Sequence, residues 1–510
     1  LTFINTTQQA GNKDFFKKNR EADCFFEKKK QKTLSLPRAA PLTSHARPCD
    51  YKYVRATPFL LCLAVCLTRL PVLHRSVLDW DESLYALMAQ QWHVGHLPYS
   101  TIWDNKPVGI YAILALLQVA APPVLSLRLA SMICVSALAL TVWRLTWHLT
   151  GNASASLAAG FVLVVASLSN DGLAANTELF MALFTALAVL AALGDGRPLA
   201  RGFVTGLCLG TAFMIKYVMV FEGAAILLLL LNQQGGRALG AAVLGGMLPI
   251  AAVVALYAQA GQLELWWVCS VASNFRRADA PITAGALSYA LRTECLRWGP
   301  LFCALPALIS ARRGRWCLGL WLLGGCLGVV GAKSFYDHYF LQLLPILSIA
   351  CGLLIARLPR LRVLATLALL ALPAAAAINA LREATLPDIP AEIAAILPTG
   401  SLYVFDSQPI LYALTGETPP TRFVLPTVLT GFLLPHVAGV DPVAEVSRIL
   451  DQKPQFIIRR NPPPALQTPV YALLDAHLAA HYHLWRHFLL TDVYQLNPPT
   501  GARKNVSNRR

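Results

Sequence analysis

Asp79, Asp81 and Glu82 fall within the run Leu78-Asp79-Trp80-Asp81-Glu82-Ser83-Leu84-Tyr85, directly after the first long apolar segment of the chain. A carboxylate beside hydrocarbon loses on the order of several kcal/mol unless it is hydrated, paired or protonated, so acids at such a boundary point to a functional site. The loop that holds them, residues 74–106, also carries Trp92, His93, His96, Tyr99, Trp103, Asp104 and Lys106. A carboxylate at a membrane surface can take a proton from an attacking hydroxyl, and a lysine at the same depth can neutralise a departing phosphate. Those are the two demands of glycosyl transfer from a lipid phosphate. A second reading stays open at this stage: the acids cap a short interfacial helix, and Trp80, Trp92 and Trp103 anchor it in the headgroup layer.

The elements that must position these residues are apolar. The 510 residues are 56% hydrophobic and 14% charged, with a mean hydropathy of +0.51, which excludes an ordinary soluble globular chain and implies a polytopic membrane protein. Apolar segments of roughly spanning length are expected at 57–73, 107–121, 124–148, 153–169, 178–193, 201–215, 217–232, 237–260, 298–310, 316–332, 339–356 and 361–380. The net charge of +16 does not imply nucleic acid. Its basic residues sit in short runs between apolar segments, as the positive-inside rule expects. Arg197, Arg201, Arg237, Arg312, Arg313, Arg315, Arg357, Arg360 and Arg362 mark the inner side.

Alternation from those anchors puts Glu178, Lys216, the loop 261–297, residues 333–339 and everything after 384 on the outer side. Three apolar segments lie between the acidic loop and Glu178, and three full crossings would separate them. The shortest segment, 107–121, is therefore expected to be partial or re-entrant. Cysteines are scattered through apolar segments without metal-ligand spacing, and none follows residue 384.

Taken as a set, D-E-x-x-Y (Asp81, Glu82, Tyr85), G-x-x-P-Y (Gly95, Pro98, Tyr99) and W-D-x-K-P (Trp103, Asp104, Lys106, Pro107) resemble the first external loop of GT-C glycosyltransferases. The resemblance is to bacterial members related to protein O-mannosyltransferases, aminoarabinose transferases and Rgt-type transferases of lipopolysaccharide core. It continues through Asn176-Thr177-Glu178, the segment Gly206 to Lys216, Ala332-Lys333, His338-Tyr339 and the Leu411-Tyr412 to Arg422 stretch. It implies an all-α polytopic GT-C fold of about 11–13 transmembrane helices with a small C-terminal α/β domain. It implies inverting transfer of a sugar from a polyprenyl-phosphate donor to a cell-envelope acceptor. Asp81 would be the general base, with Glu82 orienting it or an acceptor group and Glu178 the second acidic position. Lys106, Lys216 and Lys333 would neutralise the donor phosphate, with Tyr85, His338 and Tyr339 at phosphate or sugar. One position departs: the aminoarabinose transferases carry an arginine where Leu84 stands here, so that contact is absent or comes from elsewhere, with Arg276 and Arg277 as candidates.

Other readings of the same residues remain. Glu178 suits a helix start, favoured by the macrodipole, and each lysine suits snorkelling to the interface. His477, His481, His483 and His487 include an i, i+4 pair with metal spacing, yet Leu478, Leu484 and Trp485 read better as one amphipathic helix.

Four regions follow. Residues 1–56, with twelve Lys or Arg against five Asp or Glu and no signal-peptide pattern, form a disordered cytoplasmic arm. Residues 57–383 are the catalytic membrane domain. Residues 384–497 form a periplasmic α/β domain, with strands at 402–405 and 456–458 and a helix over 470–484. Residues 498–510 are a disordered tail. The expected partners are the lipid-linked donor, the acceptor and membrane lipids, with no nucleic acid. No cofactor is firmly implied, although paired acids leave a divalent metal possible. The expected location is the bacterial inner membrane, with the active site facing the periplasm. The rival classes are a secondary transporter or flippase, whose ionisable groups lie at the bilayer midplane, and a non-catalytic relative.

Overall fold

Near-continuous apolar runs fold as helices because only a helix pairs its own backbone N–H and C=O groups inside hydrocarbon. The computed structural model describes residues 48–278, 284–311 and 315–498. Nearly all of the basic arm, Arg312, Arg313 and almost the whole tail lie outside them. Among the described residues, five helices are long and apolar enough to cross a bilayer: Pro123–Thr150, Tyr217–Gln234, Gly236–Gln259, Asp337–Arg357 and Arg362–Glu383. Five shorter apolar helices accompany them: Ala56–Val72, Gly109–Gln118, Ala153–Ala166, Thr177–Leu193 and Trp316–Gly331. The chain is a multi-pass membrane protein.

Two segments fall short of a span. The helix Gly109–Gln118, in the segment expected to be partial, has ten residues, about 15 Å of rise against a hydrocarbon core of about 30 Å. The segment 298–310 is not a span of its own. It is the end of a helix over Ala284–Cys303, kinked at Trp298 and Pro300, followed by a 3-10 stretch over Leu305–Ser310. Proline removes a helix donor and clashes with the preceding turn, and Pro300 and Pro306 break the run accordingly.

Backbone approach rather than side-chain size sets the helix spacing near Lys216. The helix Pro198–Phe213 lies along Gly236–Gln259, and Gly202, Gly206 and Gly210 face the carbonyls of Ala238, Ala242 and Gly246 so closely that a methyl group on any of the three would overlap them. This is the small-xxx-small packing by which helices approach in lipid. Beyond its end, the Gly109 N–H donates to the Met214 carbonyl at 2.6 Å.

Polar clamps hold the loop between the helices Ala153–Ala166 and Thr177–Leu193. Asn170 and Asp171 adopt left-handed φ of 57° and 55°, a region short polar residues tolerate. Fully buried Arg69 donates to the carbonyls of Ser167 and Gly172, both at 3.2 Å, and to Ser167 Oγ at 3.0 Å.

After residue 384 a four-stranded sheet forms in the order β1 (Leu402–Asp406), β2 (Phe456–Arg460), β4 (Thr491–Leu496), β3 (Tyr482–Phe488). β1 and β2 are parallel in the register Leu402 to Phe456, and the other pairs are antiparallel. The period-two alternation of β1 feeds both faces: Leu402 and Val404 join the core of the membrane region, while Tyr403 and Phe405 join a second core with Ile457 and Leu474. Residues 384–497 are thus continuous in packing with the helices rather than a body apart. Trp103 N–H donates to the Arg422 carbonyl at 2.8 Å, and Arg422 donates to the Tyr99 carbonyl at 2.7 Å. The helix expected over 470–484 ends at His481, and Tyr482–Phe488 is strand β3. The aromatic and apolar residues Tyr482, Leu484 and Trp485 favour the extended form there once β4 supplies a partner.

Candidate active site

Asp79 is the N-cap of the helix Trp80–His93, in extended backbone with its side chain accepting from the Asp81 N–H. Asp81 and Glu82 therefore stand in the first turn, where the helix dipole favours negative charge. Successive helical positions diverge by about 100°, and the two acids separate accordingly. Asp81 faces a cavity of 1310 Å³. Glu82 turns inward, fully buried, and forms a two-point ion pair with Arg128, one contact being 3.1 Å. It also accepts the N–H groups of Leu78 at 2.6 Å and Ala175 at 3.0 Å. Read from the sequence as orienting Asp81 or an acceptor, Glu82 instead has its oxygens committed to joining the acidic loop to the 170s loop.

Lys106 Nζ lies 3.0 Å from Asp81 Oδ2 and 3.6 Å from Asp104 Oδ1. Its ammonium stands 5.1 Å from the centre of the Tyr85 ring, and the Tyr85 hydroxyl reaches Asp81 at 3.4 Å. Burial works against a charge on Asp81, but Lys106, with His338 behind it, outweighs burial and holds the carboxyl down to about 2. Burial likewise opposes the Lys106 charge, and Asp104 and Asp81 more than offset it, so that lysine is held protonated. Asp79 goes the other way. Burial and the neighbouring Asp81 push it up to about 7.

The second acidic position reaches the same place. Glu178, fully buried in the first turn of Thr177–Leu193, forms an ion pair with Lys216. The Lys216 ammonium sits 4.0 Å from the centre of the Tyr339 ring. His338 stands among three acids, 3.7 Å from Asp79, 3.6 Å from Asp171 and 3.9 Å from Glu178. Of these, Asp79, Asp171 and His338 offer ligand atoms within 4.8 Å of one another and are the described residues best placed to hold a divalent ion.

The geometry does not use every residue read from the sequence. Lys333 is half-buried in a left-handed turn at φ 61° and is not among the residues lining the cavity, whereas Arg277 is. Arg277 donates to Ser334 Oγ and Tyr339 Oη, both at 2.9 Å. Arg276 is turned away, onto the Val437 carbonyl at 3.0 Å. Sequence reasoning passed over Asp171, although Asn170-Asp171-Gly172 is a turn signal of the kind that presents a side chain. It quoted Asp104 without giving it a role. The four C-terminal histidines do not converge: the His477 and His481 rings lie 4.8 Å apart and tilted on their helix, His483 bonds Asn497 at 2.9 Å, and His487 bonds Asp492 at 2.6 Å.

Much of the rest of the cavity wall is apolar, including Phe213, Val220, Phe221, Ile250, Trp267 and Phe335, with Asn105, Asn274 and Asp337 among the polar residues. A π-helical stretch over Trp267–Ala272 presents Trp267 and Val271 to it. The arrangement can bind a molecule with an anionic group and a long apolar part, and can accept a proton beside that anion.

Residues 104–260 match the sequence pattern of the dolichyl-phosphate-mannose-protein mannosyltransferase family. No curated protein matches the chain by sequence. Among solved structures, ArnT from Cupriavidus metallidurans bound to undecaprenyl phosphate is similar, with a TM-score of 0.62 and 12% identity over 87% of this chain and 98% of that one. The same protein in its apo state gives 0.60 and 13% over 88% and 98%. The chain therefore has the GT-C fold and resembles the GT-C membrane glycosyltransferases, in fold along most of its length and in sequence over residues 104–260.

Proposed function

We propose that the protein is an inverting membrane glycosyltransferase. It moves a sugar from a polyprenyl-phosphate donor to a hydroxyl of a cell-envelope acceptor, at the periplasmic face of the bacterial inner membrane. The observation that carries this reading is Asp81 standing 3.0 Å from Lys106 on the wall of a cavity whose remaining surface is largely apolar. The acceptor oxygen attacks the anomeric carbon and gives its proton to Asp81. The bond from that carbon to the phosphate oxygen breaks, and polyprenyl phosphate departs.

A phosphodiester carries one negative charge and the departing monoester up to two, so charge builds on the phosphate as the bond breaks. Lys106, Lys216 and Arg277 all line the cavity, and cations there bind the transition state more strongly than the ground state. Glu178 and Tyr339 hold Lys216 in place, and His338 faces the sugar side among Asp79 and Asp171. The similarity to ArnT bound to undecaprenyl phosphate supports a lipid phosphate as the ligand.

The experiment is transfer of labelled sugar from polyprenyl phosphate to an envelope extract by purified protein and by its Asp81→Asn variant. A general base contributes roughly 10²–10⁴-fold, so the variant should lose at least about a hundredfold in kcat while still retaining donor. Unchanged turnover removes Asp81 as base. Wild-type protein that moves lipid across a proteoliposome with no glycosyl product establishes a flippase instead.

A further inference from the structure

Lys106 carries three N–H donors on one charge, and two carboxylates already face it. They are not held alike. Asp104 is 1% exposed, its Oδ2 accepts the Tyr111 hydroxyl at 2.7 Å, and its Oδ1 accepts the Asn105 N–H at 2.7 Å. Tyr111 is itself fully buried, and the Lys106 carbonyl is fixed by the Tyr99 hydroxyl at 2.5 Å. Asp81, by contrast, has 21% of its side chain exposed on the cavity. Apart from Lys106 it has one long contact, from Tyr85 at 3.4 Å.

A donor phosphate brings a third anion to this single ammonium. Of three anions around one cation, the one with the fewest other bonds is displaced. That anion is Asp81.

We propose that Asp104 is a positioning residue for transfer: it keeps Lys106 in place when the donor phosphate binds, so that Asp81 releases the lysine and becomes free to take the acceptor's proton. The proposal rests on the reading of the protein as a polyprenyl-phosphate-dependent transferase. It gives the resting ion pair a purpose. While Lys106 holds Asp81, the ammonium stands 3.0 Å from Oδ2 and occupies the oxygen that would take the proton. Release leaves Asp81 facing Asp79, Tyr85, His338 and the more distant Lys216. The base is then competent only with donor in place, and water has no active base to use beforehand.

The test is steady-state kinetics and donor binding of Asp104→Asn, with Asp104→Glu as the conservative variant. Asparagine keeps the shape and one of the two bonds, from Tyr111 or from the Asn105 N–H, but removes the charge, leaving Asp81 as the only carboxylate on Lys106. The expected result is a kcat roughly tenfold or more below wild type, with donor KM unchanged or lower because a like charge has left the phosphate site. Asp104→Glu should recover part of kcat.

A kcat within twofold of wild type overturns the proposal. So does a parallel loss of kcat and donor affinity that Asp104→Glu fails to relieve. Tyr111→Phe decides the matter if Asp104→Asn does not fold: loosening Asp104 should lower kcat in the same sense and by less, and an unchanged kcat overturns the proposal. The two readings fail separately. If wild-type protein makes no glycosyl product, the function is wrong. If it does and Asp81→Asn is inactive while Asp104→Asn keeps its kcat, only the role of Asp104 falls.

Discussion

The backbone N–H of Gly109 bonds the carbonyl of Met214 at 2.6 Å, and this contact ties the helix that follows Lys106 to the turn that precedes Lys216. Lysines more than a hundred positions apart in sequence thereby line one cavity. A side chain at Gly109 would overlap that carbonyl and the Ile215 side chain. Gly109→Val should destabilise by about 1–3 kcal/mol, as overpacking does, and should weaken donor binding by separating the two cations. Thermal unfolding in detergent and donor titration check this. An unshifted melting temperature with full donor affinity would show that the contact is dispensable.

The Glu82–Arg128 pair predicts a stability effect rather than a catalytic one. Both side chains are buried, and breaking such a pair from one side costs about 3–5 kcal/mol because a charge is left uncompensated. Arg128→Met should therefore lower the melting temperature strongly. Replacing Glu82 and Arg128 together by Gln and Met should recover much of the loss. The double variant should keep most of the wild-type turnover per folded molecule. Turnover at the level of Asp81→Asn would return Glu82 to the chemistry.

Asp79 predicts a pH slope in stability. Its carboxyl rises from an ordinary 3.8 to about 7, so the folded state holds a proton that the unfolded chain has released over that interval. The stabilisation from this proton is fully present below about pH 4 and is lost as pH rises through about 7. Asp81, held down from 3.8 to about 2, adds slope only below about pH 5, where the unfolded chain takes up its proton. Asp79→Asn mimics the protonated form. Relative to wild type it should gain stability between pH 5 and 8, by up to a few kcal/mol at about 1.4 per pKa unit. Parallel stability curves for the two proteins would contradict the assignment.

How much of this was legible in the sequence depends on the range of the cause. The apolar runs and the strands at 402 and 456 follow from composition and periodicity within a few residues of one another, and the partial helix after Pro107 follows from the alternation of sides along the chain. The set Asp81, Lys106, Glu178, Lys216 and His338 was readable because its motifs resemble those of the GT-C transferases and because charges stand out in apolar surroundings, and the structure brings these residues together.

What was not legible depends on distant partners. Nothing local tells Glu82 from Asp81, since their different fates come from Arg128 and the Ala175 N–H, which meet one face of the helix only. Lys333 and Arg277 are both offered as cations by the sequence, and of the two Arg277 lines the cavity. Residues 482–488 form a strand because β4 pairs with them, a contact no window around His483 contains.

Arg277 makes the sharpest test of the cavity's purpose. Unlike Lys106 and Lys216, which each face a carboxylate, it is held by two hydroxyls, Ser334 Oγ and Tyr339 Oη. Its charge is therefore the least compensated of the three and the most available to an incoming anion. A hydrogen bond to a charged group is worth roughly 1.5–3 kcal/mol, so Arg277→Gln should raise donor KM by about ten- to a hundredfold. Arg277→Lys should recover only part of this, because an ammonium lacks the planar fork that can hold Tyr339 and a phosphate together. The defect should be specific to the lipid-linked phosphate and leave acceptor KM near wild type. Acceptor affinity falling in place of donor affinity would put Arg277, and with it this end of the cavity, on the acceptor side.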